Sequence, residues 1–334
     1  MSGSTTPSGL ARLWAAPRTL IVASLVVAVV APHLLANSYQ INILVLVGVF
    51  VLLVLSLDLL LGFTGYLSLG HHGLWAIGAY ASALLATKLG VSFWVALPAA
   101  AVVTAAFAAA MAVPAFRVRG HYFALVTLAM GEVIHVIILN WVSLTEGPFG
   151  VTGIPNPLLP GLGRIDTRLE YYYLVLVFVV VALLVVRRLL ASPVGRCFRA
   201  IREDEDLAEA QGLHLMHYKV TAYAISGLIT GVAGSLFAHY QGVIGPDNFS
   251  LHFMAEILVM AVVGGSGVLA GSVVGPAIFV PLPEISRALG EARLVLFGAL
   301  LMVIVIYVPE GIAGRFREWL DDHRAGTELE GPDR

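Results

Sequence analysis

Charge is scarce in this sequence: Asp, Glu, Lys and Arg together make up 12% of its 334 residues, and only two of them are lysine, Lys88 and Lys219. A chain so poor in charge has no basic surface with which to hold nucleic acid, and its net charge is −2. Cysteine occurs once, at Cys197, which excludes an internal disulfide framework. No G-x-x-x-x-G-K-[ST] stretch is present and neither lysine follows a glycine-rich loop, so the common phosphate cradle is missing. No serine stands in a G-x-S-x-G setting, and Ser266, between Gly265 and Gly267, reads as structural. His71 and His72 have no Cys or carboxylate at ligand spacing, and adjacent helical positions diverge by about 100°, so a metal is not expected there. These absences argue against an enzyme.

What fills the chain is apolar. Hydrophobic residues reach 59% and the mean hydropathy is +0.90, against roughly 45–50% apolar residues in soluble domains. Backbone groups in hydrocarbon must be satisfied within a helix or a closed barrel. The apolar runs are continuous rather than alternating, which predicts an all-α, polytopic membrane bundle. The spans fall near 19–36, 41–61, 73–88, 93–115, 121–140, 171–186, 219–240, 254–270, 272–288 and 293–308. That gives about ten transmembrane helices, with nine as the alternative because several runs are short or interrupted by Gly and Pro.

Fourteen of the nineteen basic residues fall on one side if the N-terminus is cytoplasmic, so both termini are expected inside. Residues 1–18 form an N-terminal tail, and 19–36 reads as a retained anchor. The permease domain is then 19–308, with an outer loop at 141–170 and an inner loop at 187–218. Residues 309–334 form a polar C-terminal tail.

Two stretches carry the functional expectation. The first, Gly62-Phe-Thr-Gly65-Tyr-Leu-Ser68-Leu-Gly70-His71-His72-Gly73 through Gly78-Ala-Tyr80, places glycines, hydroxyls and histidines where a membrane helix would show Leu and Val. On one continuous helix Gly62, Gly65, Gly70, Gly73 and Gly78 would point near 0°, 300°, 80°, 20° and about 160°. That spread is too wide for a single packing stripe, so the stretch predicts a break between Thr64 and His72. Gly264, Gly265, Gly267, Gly271 and Gly275 form a second cluster in the other half, and paired glycine-interrupted segments point to a transport path.

The second stretch is the charged block from Ser192 to Gly212. Acidic residues Glu203 to Asp206 suit a helix N-terminus, Asp204 can cap it, and Gly212 can stop it. From the residues alone it is either a solvated connector or a docking helix for a partner. Ionisable residues inside spans, Asp58, Glu132, His135, Glu256 and Glu284, either hold helices together or line a path for a polar solute. Glu132 and His135, three apart, share a helix face and could exchange a hydrogen bond. Asp58 and Glu284 lie close to span ends, where an interfacial position is open to them.

Asp206-Leu-Ala208-x-x-x-Gly212 resembles the EAA-x-x-x-G loop of ABC-importer permeases, with Asp for Glu and Leu for the first Ala. The wider run Gly195 to Gly212 with Tyr218-Lys219, the run Arg119 to Glu132 continuing to Asn140-Trp141, and Gly264-Gly-Ser-Gly267 to Pro283-Glu284 are similar to the branched-chain amino acid permease family. So is G-x-T-G-x-L-S-L-G-H…I-G-A-Y at Gly62 to Tyr80, with Tyr66 where relatives often have Gln and His72 where they often have Ala. The resemblance covers about residues 40–310 and points to the M-like subunit.

It implies a type II ABC-importer-like fold in a bacterial inner membrane. The implied partners are a homologous H-like permease subunit, two ABC ATPases and an extracytoplasmic solute-binding protein. ATP and Mg are then bound by the ATPases, with no cofactor on this chain. The implied coupling residues are Arg202, Asp204, Asp206, Ala208, Glu209 and Gly212. Candidate path residues are Tyr66, Ser68, His71, His72, Glu132 and His135, with Gly62, Gly65, Gly70, Gly73, Gly264, Gly265 and Gly267 as hinge glycines. The expected cargo is a branched-chain or other hydrophobic amino acid, or a related small polar solute such as an amide or urea. A stand-alone proton-coupled transporter using Glu132 and His135 is the rival.

Overall fold

The structure is a computed structural model that describes residues 26–33, 37–118, 120–159, 163–282, 311–312 and 315. Residues 26–33 are helical, followed by helices α1 (Ser38–Thr64), α2 (His71–Lys88), α3 (Phe93–Ala115) and α4 (His121–Asn140). A single turn α5 (Val142–Thr145) leads into a loop segment, then α6 (Arg168–Ala191), α7 (Pro193–Glu203), α8 (Glu205–Ala210) and α9 (Leu215–Gln241). The described part closes with α10 (Leu251–Gly264) and α11 (Gly271–Phe279). Six helical segments among the described residues are long and apolar enough to cross a membrane: Tyr39–Thr64, Phe93–Ala115, His121–Asn140, Arg168–Ala191, Leu215–Gln241 and Pro246–Gly264.

α9 is the centre of the bundle, packed on α3, α2 and α1. Its glycines allow this. A Cβ on Gly78 of α2 would stand 2.6 Å from the Cα of Gly231, so the two backbones touch with no side chain between them. In lipid, where burial of apolar surface gives little, such close van der Waals contact is a main source of helix association. Gly73 meets the backbone of α4 instead, at Gly131. The glycines of α2 therefore serve two neighbours on different faces, which is why their directions are too wide for one stripe. Trp75 adds an aromatic node, with its ring 4.9 Å from those of Phe237 and Phe249 and 6.0 Å from Phe50.

Several expected boundaries move. Within the segment 187–218, expected as an inner loop, α6 continues through Leu189 and Leu190 to Ala191 and α9 starts at Leu215, leaving 192–214 between the two long helices. α6 begins at Arg168, inside the expected outer loop, where a reciprocal cap between Thr167 and Glu170 fixes its start. The span expected at 254–270 stops at Gly264, since Gly265 takes φ +111° and 265–270 is a turn. The 73–88 run is an 18-residue helix, but its histidines and Lys88 leave it short of the apolarity of a span, and it is enclosed by other helices. Most of the 19–36 span, the end of the 272–288 span, all of 293–308, both expected tails except Arg315 and 311–312, and Glu284 lie outside the described residues.

The chain also departs from all-α in detail. Strand β1 (Val151–Thr152) pairs antiparallel with β4 (Val243–Ile244), and β2 (Leu158–Leu159) pairs with β3 (Gly163–Arg164). The β1–β4 pair lies at the end of the bundle opposite Gly65. There Lys88 Nζ donates to the carbonyls of Ser143 and Leu144 at 3.3 and 2.7 Å, and Pro155 O lies 2.7 Å from His239 Nδ1.

Candidate functional site

α1 ends where the sequence turns to glycine and hydroxyls. Thr64 Oγ1 bonds back to Leu60 O at 2.8 Å, and Gly65 takes φ +80°, a left-handed conformation that only glycine adopts at little cost. Residues 65–70 are non-helical, and α2 begins at His71. His71 stands beside Ser226, whose hydroxyl donates to Ser56 O at 2.7 Å. Ser56 is about two turns before the end of α1, so the segment 65–70 runs back into the bundle before α2 starts. Irregular backbone at such depth persists only where protein partners satisfy it; here Leu69 N donates to Thr127 Oγ1 at 3.0 Å.

A continuous polar chain fixes that interior start. His71 Nδ1 lies 3.1 Å from Ser68 Oγ and its Nε2 lies 2.8 Å from Ser226 Oγ. Ser68 Oγ is 3.1 Å from the Tyr223 hydroxyl, and Thr230 Oγ1 donates to Ser56 Oγ at 2.9 Å. Ser56, Ser68, His71, Tyr223, Ser226 and Thr230 are all fully buried. His72, one residue on, points to the other side and reaches α4, where its Nε2 is 3.4 Å from Glu132 Oε1.

The break is gripped from the loop 192–214. Tyr66 donates its phenol hydrogen to Glu205, the first residue of α8, and Lys219 pairs with the same carboxylate. Lys219 Nζ also sits 4.8 Å from the Tyr66 ring centroid, a cation–π distance. The Arg202 guanidinium donates to Gly62 O. A Cβ on Gly62 would strike Gly267 N at 2.1 Å, and Gly267 N in turn donates to Asp58 Oδ1 at 2.8 Å. The two glycine clusters of the sequence thus meet backbone to backbone, under Arg202. Asp58 is 1% exposed, enclosed by the chain six residues before the end of α1.

α8 itself is built as a small projection. Asp204 Oδ1 accepts from Leu207 N at 3.0 Å and caps its start, and Gly212, at φ +86°, follows its end. Ala208 is buried, while Asp206 and Glu209 are exposed and Leu207 is 56% exposed. α7 before it is amphipathic: Phe198 and Ile201 are buried, Arg196 is exposed on the outer side, and Arg202, one turn after Phe198, turns toward the break at Gly62.

The expected sites therefore fall into two groups. Tyr66, Arg202 and the glycines Gly62, Gly65 and Gly267 come together at the break, with Gly70 and Gly73 against α4 and Gly264 and Gly265 in the α10–α11 turn. Glu132 lies on α4 with His72 at 3.4 Å and His135 Nδ1 at 3.8 Å, beyond hydrogen-bond length for the latter. Glu256 pairs with His252 at 3.2 Å, far along α10 from its turn with α11. Glu205, Lys219, Tyr223 and Ser226 were missed as functional candidates. Glu205 sat within the acidic run, and Lys219 was the only lysine of the inner block; that a buried cation needs a partner was the available signal.

A charge on an outward helix face in hydrocarbon costs on the order of 2.5–3.5 kcal/mol near the helix centre. Glu132 is the twelfth residue of the twenty in α4 and its side chain is 39% exposed. Its surroundings on this chain are two imidazoles and an apolar surface that includes Val133 and Val136.

Comparison with known proteins agrees with this architecture. The family model described as branched-chain amino acid transport system / permease component matches residues 39–306. The high-affinity branched-chain amino acid transport system permease protein LivM of Escherichia coli is 35% identical over 317 residues, covering 88% of this chain and 74% of that protein. LivM of Salmonella typhimurium matches to the same extent. The corresponding LivH permease protein of Escherichia coli is 27% identical over 296 residues, covering 80% of this chain and 91% of that protein. No solved structure matches. The match spans nearly all of the described bundle, including the break, the short capped helix and α4, and the identity is higher to LivM than to LivH: the chain is a multi-pass membrane protein that belongs to the family of permease components of branched-chain amino acid transport systems.

Proposed function

We propose that this chain is the M-like membrane subunit of an ATP-driven importer that carries branched-chain or other hydrophobic amino acids across the inner membrane. It pairs with an H-like permease subunit, and two ABC ATPases on the cytoplasmic side bind ATP and Mg. A solute-binding protein delivers cargo from outside. The bundle has about ten membrane helices with both termini in the cytoplasm.

The observation that carries the proposal is the contact of Glu205 with Tyr66, which joins the capped helix α8 to the break in the bundle. Asp204 orders α8, and the exposed Leu207 with Asp206 and Glu209 forms the surface that enters the ATPase, backed by the buried Ala208. Gly212 ends it. Approach of the ATPases pushes α8, and Glu205 and Arg202 pass the displacement to Tyr66 and Gly62. The glycines Gly62, Gly65, Gly70, Gly73, Gly264, Gly265 and Gly267 let the two interrupted segments slide without a side chain to clear. Ser68 and His71 tie the moving segment to α9, and His72, Glu132 and His135 border the path. ATP selects between outward- and inward-open states.

The test is uptake of labelled leucine into proteoliposomes holding both permeases, the ATPases and the binding protein. Uptake that requires ATP supports the proposal. Uptake by the membrane subunits alone, driven by a proton gradient, overturns it in favour of a proton-coupled carrier using Glu132 and His135.

A further inference from the structure

Three helices leave broad faces uncovered by this chain, and one of these faces is unlike the others. The outward residues of α6 are apolar, with Val177, Val181, Leu184 and Val185 at least half exposed. Those of α3, including Val95, Val102 and Phe107, are apolar as well. α4 presents Leu125, Val133 and Val136 in the same manner, but places the Glu132 carboxylate among them, about 12 Å from the helix end at Asn140. Lipid tails suit the first two faces. They do not suit the third, because a carboxylate at that depth requires water or a cation.

Two further atoms point to the same spot. His72 is fully buried and its Nε2 makes no hydrogen bond, although it stands 3.4 Å from Glu132 Oε1. His135 Nε2 is likewise buried without a hydrogen bond, and its Nδ1 lies 3.8 Å from Glu132 Oε2. Buried polar atoms normally find partners. Gly131 makes the arrangement possible, since a Cβ there would stand 2.4 Å from His72 Cε1. The sequence has thus kept a gap in α4 through which an imidazole from α2 reaches the carboxylate.

We propose that Glu132 accepts the ammonium group of the amino acid as it passes, with His72 and His135 lying beside the carboxylate. The inference rests on the proposed function and adds to it a specific recognition residue. A charge-assisted N–H···O contact recognises what all amino acids share, while the apolar residues around it accept a branched side chain. The contact is single and open to one side, which suits a group that must release its cargo.

The test uses the assembled importer. In a Cys197→Ser background, Glu132→Cys and, as the lipid-facing control, Val177→Cys are treated with a charged, water-soluble thiol reagent. We expect Cys at 132 to react, to be protected by leucine-loaded binding protein with ATP, and Cys at 177 to stay inert. In parallel, Glu132→Gln is expected to lower leucine uptake per ATP hydrolysed about tenfold, the loss of one charged hydrogen bond, and Glu132→Asp to recover most of it. A thiol at 132 that is inert in every nucleotide state, or an unchanged uptake ratio in Glu132→Gln, overturns the inference while wild-type uptake stands. A wild-type complex with no ATP-driven uptake overturns the proposed function, and the inference with it.

Discussion

Tyr66 and Glu205 are hydrogen-bonded across 139 residues of sequence, and the carboxylate that accepts the phenol also neutralises Lys219. One acidic side chain therefore holds together the end of α1, the start of α8 and the start of α9. Lys219 is 6% exposed and stacked over the Tyr66 ring, so this is the point where a single substitution leaves a cation stranded.

Glu205→Gln keeps an acceptor for Tyr66 but removes the charge opposite Lys219. Its cost should fall between the ~1 kcal/mol of an exposed pair and the ~3–5 kcal/mol of a fully buried one. Tyr66→Phe removes one hydrogen bond to a charged group and no charge. In detergent, thermal unfolding should rank wild type above Tyr66→Phe and Tyr66→Phe above Glu205→Gln. Equal unfolding temperatures would show that the contact is incidental.

Asp206→Lys with Glu209→Lys changes the exposed face of α8 without touching its cap or its buried Ala208. We expect the double variant to fold, at a cost of about 1 kcal/mol or less from the charge reversal in the first turn of α8, and to lose most of its ATPase on affinity purification. Undiminished co-purification would remove this face from the coupling surface.

Asp58 accepts from Gly267 N, and its second oxygen is buried without a hydrogen bond. Asp58→Asn can keep the acceptor, so it should lie within about 1 kcal/mol of wild type. Asp58→Ala leaves the Gly267 N–H unpaired and should cost about 1–3 kcal/mol. Urea-free thermal scans of the purified membrane subunits separate the two, and a reversed order would contradict the bond.

Gly78→Ala introduces a Cβ 2.6 Å from Gly231 Cα, against backbone that cannot swing aside. Overpacking of this kind costs about 1–3 kcal/mol. Gly245→Ala, at φ −125° with only Asn248 Oδ1 near at 4.0 Å, serves as the control and should cost less than about 0.5 kcal/mol. Similar unfolding temperatures for the two variants would rule out close packing of α2 on α9.

Local chemistry was legible in the sequence. The interruption after Thr64 followed from glycine and hydroxyl composition, and the Asp204 cap and Gly212 stop from residue type and spacing. What could not be read was the partner of each polar group. Asp58 was open to an interfacial position because its position near a span end is all the sequence records; its burial depends on Gly267, more than two hundred residues away. Glu205 lay among four acidic residues that look alike in sequence, and only the fold decides which of them meets Tyr66 and Lys219. The sequence marks Gly73 as a hinge glycine next to the break, whereas Gly73 and Gly78 are close-packing sites for two helices, a distinction that needs both neighbours in view.

The pairing of Val151 with Ile244 sets an order of events during synthesis. Its second strand is made roughly ninety residues after its first, so at ~5–20 residues per second the first waits about 5–20 s for its partner. In that interval α6 and α9 must both be threaded through the membrane. The ribbon is thus a late fastener, closed only after those two helices have taken their places, and a ribosome stalled before Val243 would leave Val151 and Thr152 without their strand partners.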